Sequence, residues 1–134
     1  TYSGHPAAAA AGIATLKILK EGNVIASAAE TLAPHFQARL QALVDHKLVG
    51  QVRGRGMFAA VELVRDKASR EKLAPDSAGA VFCRNPANEI GLMVRQTGDA
   101  MIMAPPLVST IAVLDSLVDM LVQSLDATAE HYGV

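Results

Sequence analysis

The stretch from Gly91 to Leu107, GLMVRQTGDAMIMAPPL, constrains the fold more than any other part of this chain. Two short apolar runs, Leu92–Val94 and Ala100–Met103, flank Gln96-Thr97-Gly98-Asp99. Apolar runs separated by Gly and Asp turn chemistry predict a β-hairpin. Pro105-Pro106 then removes two backbone donors and ends the pairing. Arg95 stands where the first run meets the turn, the single charge in an apolar strand. Such a hairpin holds one guanidinium at a fixed height above a sheet.

The rest of the chain supplies helices and one more strand pair. Pro6, an alanine run over Ala7–Ala11 and the stripe Ile13, Leu16, Ile18 or Leu19 predict a helix over 4–21. Ser3 is its expected N-cap, Gly22 its C-cap, and Lys17 and Lys20 complement the dipole of its last turn. Ile25, Ala28, Leu32, Phe36, Leu40 and Leu43 predict a second helix over 24–46. Pro34 lies inside it, so a kink or break is expected near Ala33. Strands are expected over 48–53 and 57–64, with Gly54-Arg55-Gly56 as a bulge or tight crossing. Met57–Val64, apolar on both faces except for Glu62, reads as a central strand. A surface loop over 66–76, a short helix over 77–85 stopped by Pro86, and the hairpin follow. Ile111, Leu114, Leu117, Val118, Leu121 and Leu125 mark a last helix over 110–132, capped by Thr110 or Ser109. The five methionines are expected mainly in strands, packing the core. This order argues for an α+β sandwich: a small four-stranded antiparallel or mixed sheet with helices on one face.

Composition excludes several functions. With 134 residues the chain is one domain's worth, and 51% hydrophobic against 19% charged residues describes a globular protein. A net charge of −1 carries no electrostatic footprint for nucleic acid or an anionic membrane. No apolar run approaches the roughly 20 residues needed to span a bilayer. One cysteine, Cys83, rules out an internal disulfide and suits the cytoplasm. His5, His35, His46 and His131 show no metal-ligand spacing, and no metal site is expected. His5 reads as helix-start packing, and Cys83 as a small buried hydrophobe.

Two groups stand out as chemistry, each with a plainer reading beside it. Thr1, Tyr2, Ser3 and Gly4 offer hydroxyls and backbone N–H groups at a helix N-terminus, an anion site; equally, Ser3 caps the helix and Gly4 turns the chain. Arg95 is a planar, bidentate carboxylate clamp or a solvated strand-end charge. Arg53 and Arg55, next to glycines, are weaker versions of the same.

Taken together, Thr1-Tyr2-Ser3-Gly4-His5-Pro6 before an alanine-rich helix, Val52-Arg53-Gly54-Arg55-Gly56-Met57, Glu62-Leu63-Val64, Asp66-Lys67, Gly91-Leu92 with Arg95, Gly98-Asp99 and Ala104-Pro105-Pro106-Leu107 form an ordered set. Spread over nearly the whole chain, this set resembles the class III pyridoxal-phosphate-dependent aminotransferases, most nearly the omega-amino-acid or amine:pyruvate transaminases. The resemblance implies the C-terminal small domain of the aspartate-aminotransferase fold (fold type I) over 23–134. It implies the end of the large domain and a long crossover helix over 1–22. Thr1 then matches the threonine that binds the phosphate of pyridoxal 5'-phosphate in the partner subunit of a homodimer or dimer of dimers. Arg95 matches the arginine that receives the substrate carboxylate and swings aside for bulky uncharged groups. The implied reaction is ping-pong: an amine donor gives its amino group to the cofactor, and a keto acid such as pyruvate takes it away.

The family's Schiff-base lysine, the carboxylate that pairs with the pyridine nitrogen and the ring-stacking aromatic all precede Thr1. Lys17, Lys20, Lys47, Lys67 and Lys72 match none of these positions, so no catalytic residue is expected here. The chain, which opens abruptly inside the phosphate motif, is expected to be a piece of a larger enzyme and inactive alone. The competing expectation is a free-standing ligand-binding or interaction module with a ferredoxin-like sheet, in which Thr1–Pro6 would have no purpose.

Overall fold

The computed structural model describes residues 3–134. Helix α1 (Pro6–Glu21) leads into a helical run in four pieces: α2 (Val24–Ser27), a π turn (Ala28–Leu32), α3 (Ala33–Gln41) and a 3-10 turn (Ala42–Asp45). Strands β1 (Val49–Arg55) and β2 (Phe58–Leu63) follow, then helix α4 (Ala78–Glu89), strands β3 (Arg95–Thr97) and β4 (Ala100–Met103), and helix α5 (Ile111–Tyr132).

Pro34 explains the broken second helix. It has no N–H to donate, and its ring presses on the preceding turn. The backbone widens just before it: the Ala33 N–H reaches back to the Ala28 carbonyl, a π-type bond. The expected break is therefore a widened turn, and the buried stripe passes through it. Ala28, Leu32, Phe36, Leu40 and Leu43 are all buried, while Ile25 stays exposed.

Both strand pairs are hairpins, and they lie side by side in the order β1-β2-β4-β3 with every pairing antiparallel. β2 is central, as its two-sided apolar pattern requires. A ferredoxin-like sheet needs a helix between the strands of each pair, and here each pair is joined directly, so that alternative fold is not met. Val49, Ala59, Val61, Leu63, Met101 and Met103 form the sheet side of the core. Phe36 and Leu40 of α3, Cys83 and Ala87 of α4, and Leu114, Val118, Leu121 and Leu125 of α5 cover that one face.

Several boundaries differ from expectation for identifiable reasons. Gly54 is no bulge: it lies within β1, opposite Ala59 and one residue before the strand ends at Arg55, and it is the tight crossing of the two expectations. A Cβ on it would lie 2.5 Å from the Phe58 carbonyl oxygen, so the hairpin closes only over a glycine. The register shift falls instead between Val49 and Gln51. β3 begins at Arg95 rather than ending there; Leu92 and Val94 are buried ahead of it, and Met93 between them is 95% exposed. Pro86 does not stop α4, which runs on to Glu89. The proline removes the N–H that would serve the Phe82 carbonyl, and the full burial of Cys83 and Ala87 around it offsets that loss. His5, not Ser3, caps α1: its Nδ1 accepts the Ala8 N–H at 3.3 Å.

α5 forms as its sequence demands. Thr110 accepts the Val113 N–H at 3.3 Å, and Gly133 closes the helix at φ +64. Ser124 and Thr128, both fully buried, return their hydroxyls to the Met120 and Ser124 carbonyls at 2.9 and 2.6 Å. No helix of the described residues is long and apolar enough to cross a membrane.

Candidate functional site

Strand pairing decides which side chains share the face of the sheet that the helices leave open. Arg95 pairs with Ile102, Ile102 with Ala60, and Ala60 with Arg53, so one row crosses the sheet. The adjacent row runs Gln51, Glu62, Ala100, Thr97. Alternate residues of a strand share a face. With Val61 and Met101 in the core, both rows belong to the opposite side.

Arg95 stands at the β3 edge of this face, exposed, in a shallow hollow lined by Phe58, Thr97 and Ile102. No carboxylate among the described residues pairs with it. The hairpin beneath it is well fixed. Gly98 turns at φ +57, the Gln96 side-chain amide donates to the Gly98 carbonyl at 2.7 Å, and the Leu63 N–H donates to the Asp99 carbonyl at 2.8 Å. Lys72 Nζ lies 3.2 Å from the Asp99 carboxylate. Arg95 is thus an exposed, unpaired cation on a well-fixed base. Arg53, across the row, is the opposite case: its guanidinium is committed to Glu62, and the Gln51 side-chain oxygen lies 3.5 Å away.

Thr1, the expected phosphate ligand, lies outside the described residues. The helix it precedes has the right chemistry. Gly4 turns the chain at φ +74, and the first turn of α1 holds no acidic side chain. His5 already takes the Ala8 N–H and Pro6 has none to give, so what suits a phosphate group at that end is the helix dipole, with no acidic side chain to oppose it. The lysines do not fit a Schiff-base role. Lys17, Lys20, Lys47, Lys67 and Lys72 are all exposed, Lys67 donating to the Val44 carbonyl and Lys72 meeting Asp99. No group of His, Cys, Asp and Glu among the described residues would hold a metal. Cys83 is fully buried, and burial pushes its thiol pKa up, which leaves it unreactive.

The histidines have a role that their spacing in sequence hides. His35 Nε2 lies 2.7 Å from Asp115, Arg39 lies 2.9 Å from Asp115 and 2.5 Å from Asp119, and His46 Nε2 lies 3.2 Å from Asp126. Three of these contacts share the same sequence separation of 80, which sets α3 and its extension running alongside α5 in the same direction. The Arg39 Nε contact with Asp115 is an ion pair outside good hydrogen-bond geometry. The His35 hydrogen bond, ahead of the charges of His35 and Arg39, holds the Asp115 carboxyl below its ordinary range. His46 Nδ1 accepts the Leu48 N–H, which leaves the proton on Nε2 facing Asp126.

A sheet with an unpaired guanidinium on its open face and a phosphate-suited helix end is matched by known proteins. The family model for class III aminotransferases covers residues 1–125. The putrescine–pyruvate aminotransferase of Pseudomonas aeruginosa is 43% identical over 129 residues, 96% of this chain and 28% of that protein. Mitochondrial gamma aminobutyrate transaminase 1 of Solanum lycopersicum is 33% identical over 98% of this chain and 25% of its own length. A transaminase solved with L-ala superposes with a TM-score of 0.93 at 36% identity, over 98% of this chain and 30% of that one. The omega transaminase of Pseudomonas jessenii, solved in complex with PMP, superposes with a TM-score of 0.83 at 33% identity, over 88% of this chain and 26% of that one.

This chain belongs to the class III aminotransferases, a pyridoxal-phosphate-dependent family, and its fold is that of their fold type I relatives. It spans about a quarter to three tenths of the length of the relatives it matches.

Proposed function

We propose that this chain is the C-terminal part of a transaminase that moves an amino group from an amine or omega-amino acid to a keto acid such as pyruvate. The observation that carries this reading is Arg95, an unpaired guanidinium on the open sheet face of a class III aminotransferase chain. Pyruvate as acceptor is supported by the similarity to a putrescine–pyruvate aminotransferase.

In this reading residues 1–22 are the end of the large domain and the crossover helix, and 23–134 the small domain. The exposed apolar stripe of α1 supports that division, since nothing among the described residues covers it. Arg95 takes the keto-acid carboxylate with two parallel hydrogen bonds, a geometry its planar head is built for. It shares a shallow hollow with Phe58, Thr97 and Ile102, and the head swings aside when an uncharged substituent arrives. Thr1 gives its hydroxyl and N–H to the cofactor phosphate in the partner subunit of a homodimer, assisted by the positive end of α1. Pyridoxal phosphate, when bound, supplies the electron sink. With every lysine exposed, the chain holds no group to anchor that cofactor covalently, and alone it is inactive.

The test is an absorption spectrum of the full-length protein. A visible band from bound pyridoxal phosphate that bleaches with an amine donor and returns with pyruvate supports the reading. A full-length protein with no band and no uptake of the cofactor refutes it.

A further inference from the structure

Within the paired rows of the open face there is one carboxylate, that of Glu62. It stands two strands from Arg95 and one row along. With strands about 4.8 Å apart and a two-residue rise of about 6.7 Å, their Cα atoms are about 12 Å apart. That is within the combined length of an extended glutamate and an extended arginine. Ala100 and Ile102 of β4 lie between them, and the small Ala100 leaves a path past Ile102. A free Glu62 would therefore reach Arg95 and neutralise the cation that a substrate carboxylate needs.

In the structure it does not. The Glu62 carboxylate turns the other way, onto the Arg53 guanidinium at the opposite edge of the sheet. Asp99, the acidic residue of the β3–β4 turn, is likewise engaged elsewhere, by Lys72. We infer that Arg53 is a positioning residue: it holds Glu62 away from Arg95 and so keeps Arg95 open to the substrate carboxylate. This rests on the reading of Arg95 as the carboxylate receptor. The pairing also accounts for a charge on a central strand, since Arg53 and Glu62 cancel and leave Arg95 as the uncompensated member of the two rows.

The experiment uses the full-length enzyme with pyruvate, at about 0.15 M salt, where charges beyond about 8 Å are largely screened and only direct pairing counts. Arg53→Met is expected to raise KM for pyruvate about 3- to 5-fold, the strength of one exposed ion pair, with KM for the amine donor unmoved. Adding Glu62→Gln to Arg53→Met is expected to restore the pyruvate KM. A purely structural role for Arg53 would show no such rescue, because removing Glu62 repairs no packing. An unchanged pyruvate KM in Arg53→Met, or a rise that persists in the double variant, overturns the inference. Arg95→Ala separates the two levels: insensitivity of the pyruvate KM to Arg95→Ala sinks the receptor reading itself, whereas sensitivity there with a silent Arg53→Met sinks only the role of Arg53.

Discussion

Helices α1 and α5 both carry apolar stripes at helical spacing, yet they meet different fates. α5 buries Leu114, Val118, Leu121 and Leu125 to 1% exposure or less. α1 buries nothing, and Ile13, Leu16 and Ile18 remain 69%, 68% and 66% exposed. Periodicity reveals that a face exists; it does not say what covers it. The α5 face is covered by this chain's own sheet and by α3 and α4, whereas the α1 face is assigned above to the large domain.

The largest expected effect sharpens that contrast. In the 134-residue chain, Leu125→Ala is expected to cost about 2–5 kcal/mol through lost burial and a cavity, read from the urea midpoint. Leu16→Ala is expected to stay within about 0.5 kcal/mol, as exposed substitutions do. In the full-length protein the Leu16→Ala cost should rise toward that of a core position. Equal small costs in both settings would break the comparison and leave α1 without a covering domain.

A smaller effect concerns the charged seam that binds α3 to α5 and is absent from α1. The Asp115 carboxyl is held below its ordinary value by the His35 hydrogen bond. A depressed carboxylate adds stability above its unfolded pKa and loses it as pH falls through the folded value. The advantage of the wild-type chain over Asp115→Asn should therefore be full at pH 7, begin to fall at about pH 4, the ordinary carboxylate value, and vanish once the pH drops below the lowered folded-state value. Thermal midpoints of both chains across pH measure it. A gap that is constant with pH would mean that Asp115 contributes only its shape.

How much of this was legible in the sequence varies with the physical cause. α5 was readable throughout, because stripe, cap and closing glycine agree. The central placement of β2 follows from its two-sided apolar pattern, and the β3–β4 hairpin from Gly98 and Asp99, whereas Gly54-Arg55-Gly56 reads as a bulge or tight crossing and does not announce the β1–β2 hairpin. Leu92 and Val94 alternate with Met93 as a strand would, yet ladder pairing starts only at Arg95, so the sequence pattern sets β3 too early. Pro86 carries a local cost that predicts a stop, and the tertiary packing around Cys83 and Ala87 overrides it. The seam was invisible from spacing within one helix. Its only sequence signal is a constant offset between His35, Arg39 and His46 and the aspartates of α5, which acquires meaning once the two helices are known to run side by side. Arg95 was picked out by its isolation among apolar residues, whereas the commitment of Arg53 to Glu62 depended on a register that no sequence pattern displays.

The central claim is that Arg95 is where a keto acid's carboxylate is received. Its most direct test is Arg95→Ala in the full-length enzyme, with the two half-reactions measured separately. KM for pyruvate is predicted to rise about 10- to 100-fold, as loss of charge-assisted hydrogen bonds implies, with KM for the amine donor within about twofold. An equal loss for amine and keto acid, or no loss for either, would contradict the account.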